Sequence, residues 1–138
     1  PLNFLGKNET ADYIITGAWG KKALAEAKKC GNANVIFSSE SDNFRSVPLP
    51  EELNFSPDAK YVHYTSNETI EGVEFKYELD GKGVPVVCDA SSNILSKPLD
   101  VEKYALIYAG AQKNIGPSGV TLVIIRDDLL AQIPANQH

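Results

Sequence analysis

Apolar residues in this chain fall in short runs, each broken by glycine, proline or a cluster of hydroxyl and amide side chains. Runs of that kind have the length of strands, and the breaks fall where turns are built. Ala11-Asp12-Tyr13-Ile14-Ile15 predicts a first strand, ending at Thr16-Gly17 where glycine lets the chain turn. A helix is expected from Lys21 to Cys30, because Ala23, Leu24, Ala27 and Cys30 recur at helical spacing, lysines and Glu26 fill the other faces, and Gly31 takes the stop position. Lys28 and Lys29 suit the negative end of that helix dipole, so the basic cluster reads as a solvated face.

Further along, Asn34-Val35-Ile36-Phe37 predicts a second strand, and Pro48-Leu49-Pro50-Glu51-Glu52-Leu53 a turn into a short helix closed by Pro57-Asp58. Tyr61-Val62-His63-Tyr64 is the next strand, released into Thr65-Ser66-Asn67-Glu68-Thr69, a loop of hydroxyls and amides where open α/β folds place ligand contacts. Val84-Pro85-Val86-Val87-Cys88 has the uninterrupted apolar character of a strand covered on both faces, and the chain then switches at once to Asp89-Ala90-Ser91-Ser92-Asn93. The run from Tyr104 to Gly110 leads to Gln112-Lys113-Asn114 and the turn Gly116-Pro117-Ser118-Gly119. Val120 to Arg126 is a last strand, and Asp127-Asp128-Leu129-Leu130 starts a helix or a crossover. Strands alternating with helices or long connections predict an α/β fold: a mostly parallel sheet with flanking helices and polar loops gathered at strand ends.

Composition narrows the function classes. Thirteen Lys+Arg against eighteen Asp+Glu leave a net charge of −5, so no global basic field is available to hold nucleic acid or an anionic membrane. No apolar run approaches the roughly twenty residues that span a bilayer, and the first residues lack a signal peptide's pattern, which predicts a cytoplasmic protein. Cys30 and Cys88 stand apart from each other and from histidine, the pattern of reduced, partly buried thiols and not of a zinc site. Phosphate-cradling glycine motifs are missing as well. The 138 residues contain no methionine and open on Pro1, so the chain is expected to be a piece of a longer polypeptide.

Three strand ends present, in chain order, a hydroxyl at Thr69, a carboxylate at Asp89 and an amine at Lys113. Taken one at a time, Asp89 reads equally well as the closing residue of a turn, Thr69 as a loop hydroxyl satisfying nearby backbone, and Lys113 as a surface lysine. Together they are the parts that pyridoxal 5′-phosphate chemistry requires: an amine to bind the cofactor covalently, an acid to keep its pyridine nitrogen protonated, and a donor near the ring oxygen.

Four segments carry a resemblance. Gly17-Ala18-Trp19, the stretch from Ser66 to Phe75, the stretch from Cys88 to Pro98 and Tyr108-Ala109-Gly110-Ala111-Gln112-Lys113-Asn114-Ile115-Gly116 resemble the phosphoserine aminotransferases of the class V aminotransferase family, fold-type I pyridoxal-phosphate enzymes. The likeness runs from about Ala11 to Leu130 with the motifs in the family's order. It implies that Lys113 carries the cofactor and moves protons, that Asp89 pairs with the pyridinium nitrogen, that Trp19 stacks on the ring, that Thr69 bonds near its phenolic oxygen, and that Gln112 contacts its phosphate. The implied reaction moves an amino group between glutamate and 3-phosphohydroxypyruvate, giving 2-oxoglutarate and phosphoserine, in serine biosynthesis by a homodimer. Gly20 and Ala90 depart from the serine and methionine expected there, without removing a group the chemistry needs. The family's N-terminal segment, its C-terminal small domain and its substrate arginines have no counterpart, so residues 1–138 are expected to be part of the cofactor-binding large domain and incomplete for catalysis. The alternatives are another fold-type I aminotransferase, or a cofactor-free α/β interaction module.

Overall fold

The architecture, taken from a computed structural model, is described for residues 1–131 and Ile133. Strand β1 (Thr10–Ile15) leads through helix α1 (Ala18–Ala27) to β2 (Asn32–Ser38). Two single-turn 3-10 segments, Glu40–Asp42 and Pro50–Glu52, precede β3 (Val62–Thr65). A small hairpin of β4 (Asn67–Glu68) and β5 (Val73–Glu74) leads to β6 (Val86–Asp89), and a 3-10 turn at Val101–Lys103 to β7 (Leu106–Gly110). Finally β8 (Thr121–Ile125) runs into the short α2 (Asp127–Leu130).

The main sheet has the strand order β2-β1-β3-β6-β7-β8. Its neighbours are parallel except for the antiparallel pair β7–β8, so the sheet is mostly parallel, as expected. Flanking helices are sparser than expected: among the described residues α1, of ten residues, is the longer of two α-helices. The connections after β2, β3 and β6 hold Pro48, Pro50, Pro57, Pro85 and Pro98, and proline removes the amide that a helix interior needs.

Pleating sorts the core onto two faces. Ile14, Val62, Tyr64, Val86, Cys88 and Ile107 turn to one side, against Phe75, Leu79, Ile94 and Tyr104. Tyr13, Ile15, Tyr61 and Val87 turn to the other, against Leu5 and Ala27. Each Val, Leu, Ile or Phe among them withdrawn from water contributes about 1.5–3 kcal/mol. β8 departs from its apolar pattern: Leu122, Val123 and Ile124 are 37%, 53% and 37% exposed.

Helix α1 begins three positions before the predicted Lys21, and Lys28 is its C-cap. The early start has a tertiary cause. Its first amides are satisfied by carboxylates of the β4 segment: Ala18 N–H donates to Glu71 Oε1 (3.0 Å), Trp19 N–H to Glu68 Oε2 (3.0 Å) and Gly20 N–H to Glu68 Oε1 (2.7 Å). Gly17 serves this approach and not a left-handed turn. Its φ is 174°, and a β-carbon there would lie 2.6 Å from Glu68 Cδ and from Glu71 Oε2.

β1 connects outward to β2, while β3 lies on the other side of β1. Where chain connections diverge in this way, loops at the carboxyl ends of parallel strands part and leave a crevice. Register then sets neighbours along the strands beside it: Thr65 beside Asp89, and Asp89 beside Tyr108.

Candidate active site

The crevice contains a cavity of about 180 Å³ whose wall holds Trp19, Thr69, Asp89, Gln112 and Lys113, so every site residue expected from sequence reaches one place. Each stands at or after the carboxyl end of a parallel strand: Trp19 follows β1, Thr69 follows β3, Asp89 closes β6, and Gln112 and Lys113 follow β7.

Lys113 Nζ donates to Thr69 Oγ1, bringing the amine across to the β3 loop. Asp89 takes the turn role that its local pattern allowed. Its Oδ1 accepts from Ser91 N–H (2.9 Å) and Ser91 Oγ–H (2.5 Å), closing a turn, and the residue still lines the cavity. Ser91 Oγ also accepts from Gly110 N–H (3.1 Å), which fastens the end of β6 to the end of β7. At Gly110 a β-carbon would stand 2.5 Å from Gln112 Oε1, so the glycine leaves room for that amide where it now lies. Trp19 is not a core tryptophan: it is 42% exposed, and Lys22 Nζ lies 4.2 Å from its ring centroid. One lysine of the expected solvated face therefore stands against a site residue.

Beneath Asp89 lies a buried polar group. His63 Nε2 is 2.9 Å from the Tyr108 hydroxyl, and its ring stacks on Tyr13 with centroids 5.1 Å apart. Burial, partly offset by the Asp89 charge, brings the imidazole down to about 4, so it is neutral at pH 7. Burial first, then the charge of Asp89, pushes the Tyr108 hydroxyl upward. The adjoining Cys88 thiol is raised to about 12, again by burial first, and is no nucleophile at neutral pH. Both cysteines are free, Cys88 buried and Cys30 partly so.

Several participants lie in loops that sequence reading marked, but were not singled out individually. Thr65 and Ser91 line the cavity, and the Thr65 hydroxyl is buried with no partner among the described residues. Ser92 Oγ donates to Asn67 O and Oδ1, both at 2.8 Å, joining the β6 loop to the β3 loop. Glu68 sits one position before Thr69, yet only the tertiary structure reveals that its carboxylate holds the start of α1. The one local signal was a carboxylate among neutral hydroxyls and amides with no lysine or arginine near it in sequence.

An amine, a carboxylate, an aromatic face and hydroxyls around one cavity suit a planar ligand bearing a carbonyl and a basic ring nitrogen. Comparison with known proteins gives this arrangement a family. The model of the class V aminotransferases matches residues 2–137, and the chain belongs to that family. Within it, the chain is similar to phosphoserine aminotransferases. The enzyme of Acinetobacter baumannii is 58% identical over 136 residues, which make up 98% of this chain and 38% of that protein. The solved phosphoserine aminotransferase of Bacillus circulans subsp. alkalophilus superposes with a TM-score of 0.93 at 51% identity, covering 97% of this chain and 37% of the other. The PLP-bound phosphoserine aminotransferase of Trichomonas vaginalis gives a TM-score of 0.85 at 38% identity, over 99% of this chain and 39% of the other. The chain thus spans under two-fifths of the length of these relatives.

Proposed function

We propose that the polypeptide carrying this chain is a pyridoxal 5′-phosphate-dependent phosphoserine aminotransferase, exchanging an amino group between glutamate and 3-phosphohydroxypyruvate to give 2-oxoglutarate and phosphoserine in serine biosynthesis. The observation that carries the reading is the convergence of Trp19, Thr69, Asp89, Gln112 and Lys113 on one cavity. The cofactor, when bound, supplies a carbonyl to take up amino groups and a ring to accept electrons.

This chain's residues supply position and protons. Lys113 Nζ, held by Thr69, is the amine for covalent attachment and the base that moves a proton at the substrate carbon. Asp89, its Oδ1 fixed by Ser91, is the counter-charge for a protonated ring nitrogen. Trp19 offers an aromatic face, Thr69 a hydroxyl near the ring oxygen, and Gln112 an amide for the phosphate. His63 and Tyr108, neutral and bonded to each other, keep further charge away from Asp89.

Residues 1–138 are part of the cofactor-binding large domain of a cytoplasmic homodimer, and alone they turn over weakly or not at all. Among the described residues no helix is long and apolar enough to cross a membrane. Borohydride reduction of the cofactor-loaded polypeptide followed by peptide mapping tests the site. A pyridoxyl group on Lys113 is expected, and one on any other lysine overturns the assignment. Conversion of the yellow chromophore by phosphoserine but not by alanine separates this reading from other fold-type I aminotransferases. Absence of any chromophore would favour the cofactor-free interaction module.

A further inference from the structure

Glu68 is among the most completely buried side chains of the described residues, and no lysine or arginine among them pairs with it. A buried carboxylate without a counter-ion needs donors, and Glu68 finds them in two successive backbone amides: Oε2 takes Trp19 N–H at 3.0 Å and Oε1 takes Gly20 N–H at 2.7 Å. Glu71 adds the amide of Ala18 at 3.0 Å. The packing leaves no slack. A β-carbon on Gly17 would lie 2.6 Å from Glu68 Cδ, and one on Gly20 3.1 Å from Glu68 Oε1. Glycine at position 20, which disfavours a helix by about 1 kcal/mol against alanine, is thus the residue that lets the carboxylate approach.

The other end of the same short segment reaches the amine. Thr69 follows Glu68 directly and accepts from Lys113 Nζ, while Asn67, just before it, is held through its main-chain and side-chain oxygens by Ser92. Three consecutive residues therefore grip three different parts of the cavity wall: the loop after β6, the start of α1 and the amine after β7.

We propose that Glu68 is a positioning residue that fixes Trp19 relative to Thr69 and Lys113 by clamping the first amides of α1. It touches neither cofactor nor substrate and acts through the backbone of the residue whose indole faces the cavity. The inference rests on the reading of the cavity as a pyridoxal 5′-phosphate site, and it has a signature of its own that needs no ligand: exchange of the Trp19 and Gly20 amides with solvent deuterium.

The experiment uses the complete polypeptide that carries this chain. Peptide-resolved hydrogen exchange covering residues 17–21 is measured without cofactor, and the dissociation constant for pyridoxal 5′-phosphate is read from its visible absorption. Glu68→Ala is expected to raise exchange in that peptide about tenfold and to weaken cofactor binding by about fivefold to tenfold, the scale of losing a helix cap. Glu68→Gln keeps the volume and one acceptor, so it is expected to fall between parent and Glu68→Ala in both measurements and covers the case in which Glu68→Ala fails to fold. Asp12→Asn, altering another fully buried carboxylate, is the control for a merely structural role and is expected to leave both readouts within about twofold of the parent. Parental protection at residues 17–21 in Glu68→Gln, or cofactor affinity in it equal to the parent's, overturns the clamp. A parent that binds no cofactor overturns the reading of the site, whereas a parent that binds it and a variant that binds it equally well overturn only the clamp.

Discussion

Two carboxylates, Asp12 and Glu68, are both withdrawn completely from water, and they serve opposite ends of the sheet. Asp12 lies in the first half of β1, where its oxygens accept from Ser56 N–H (2.7 Å), Ser56 Oγ–H (2.8 Å) and Asn34 Nδ2 (3.2 Å). It ties a loop to the strand that β2 and β3 flank. Glu68 lies beyond the carboxyl end of β3 and ties down a helix start beside an open cavity. The chemistry of satisfaction is alike, donors without a counter-ion, but the consequences differ. Around Asp12 the bonds close the structure, whereas around Glu68 they hold in place groups that remain accessible: Trp19, Thr69 and Lys113. A buried carboxylate can therefore be worth stability at one end of a parallel sheet and geometry at the other, and its surroundings decide which.

The contrast can be broken most forcefully at the amine. In the full polypeptide Lys113→Ala is expected to lower kcat about 10³-fold while leaving thermal stability nearly unchanged, since proton transfer by a placed side chain is worth 10²–10⁴. Steady-state assay beside a melting curve checks both halves, and a variant retaining a tenth of parental kcat would remove Lys113 from the centre.

The pH dependence of stability tests the polar group beneath Asp89. His63 has a folded pKa of about 4 against an ordinary value of 6.5, so the folded state prefers the neutral ring. Its contribution is complete above 6.5 and is lost as pH falls from 6.5 to about 4, by at most about 3 kcal/mol. Glu68 works in the opposite sense over neighbouring pH, because burial raises its carboxyl and the folded state takes up that proton first. Urea denaturation of parent and His63→Gln side by side isolates the histidine: the parent's excess slope between pH 6.5 and 4 should vanish in the variant.

At the other end, Asp12→Asn is expected to cost about 1–3 kcal/mol by leaving donors poorly matched, with the cavity untouched. A drop in activity beyond what the unfolded fraction explains would blur the division between the two ends. The smallest effect belongs to the surface. Bonds from Lys76, then Asn93, hold the Glu74 carboxyl down to about 2, so its contribution is lost as pH falls from 4.5 towards 2. Solvent screening limits it, and Glu74→Gln should cost less than about 1 kcal/mol in a denaturation midpoint.

Much of this was legible in the chain. Strand runs ending in polar residues located β1, β3, β6 and β7, and residues at or after those ends, Trp19, Thr69, Asp89 and Lys113, share the cavity. The errors are equally instructive. α1 was expected to begin at Lys21, because nothing local announces that amides from 18 to 20 have carboxylate partners about fifty positions away. Gly17 stands at the expected bend, but local pattern did not show that it also admits Glu68 and Glu71. β8 is a strand as expected, yet its apolar side chains are largely exposed, since hydrophobicity reveals what favours burial and not what lies against it.

By itself, then, the sequence determined the alternation of strands and connections, the mostly parallel character of the sheet and the candidate groups at the strand ends, because strand length, turn chemistry and side-chain type are local properties. Only the tertiary structure decided that Lys113 reaches Thr69, that Ser91 orients Asp89, and that Glu68 holds the helix bearing Trp19. Those are contacts between residues far apart in the chain, set by strand order and register, and no local pattern encodes them.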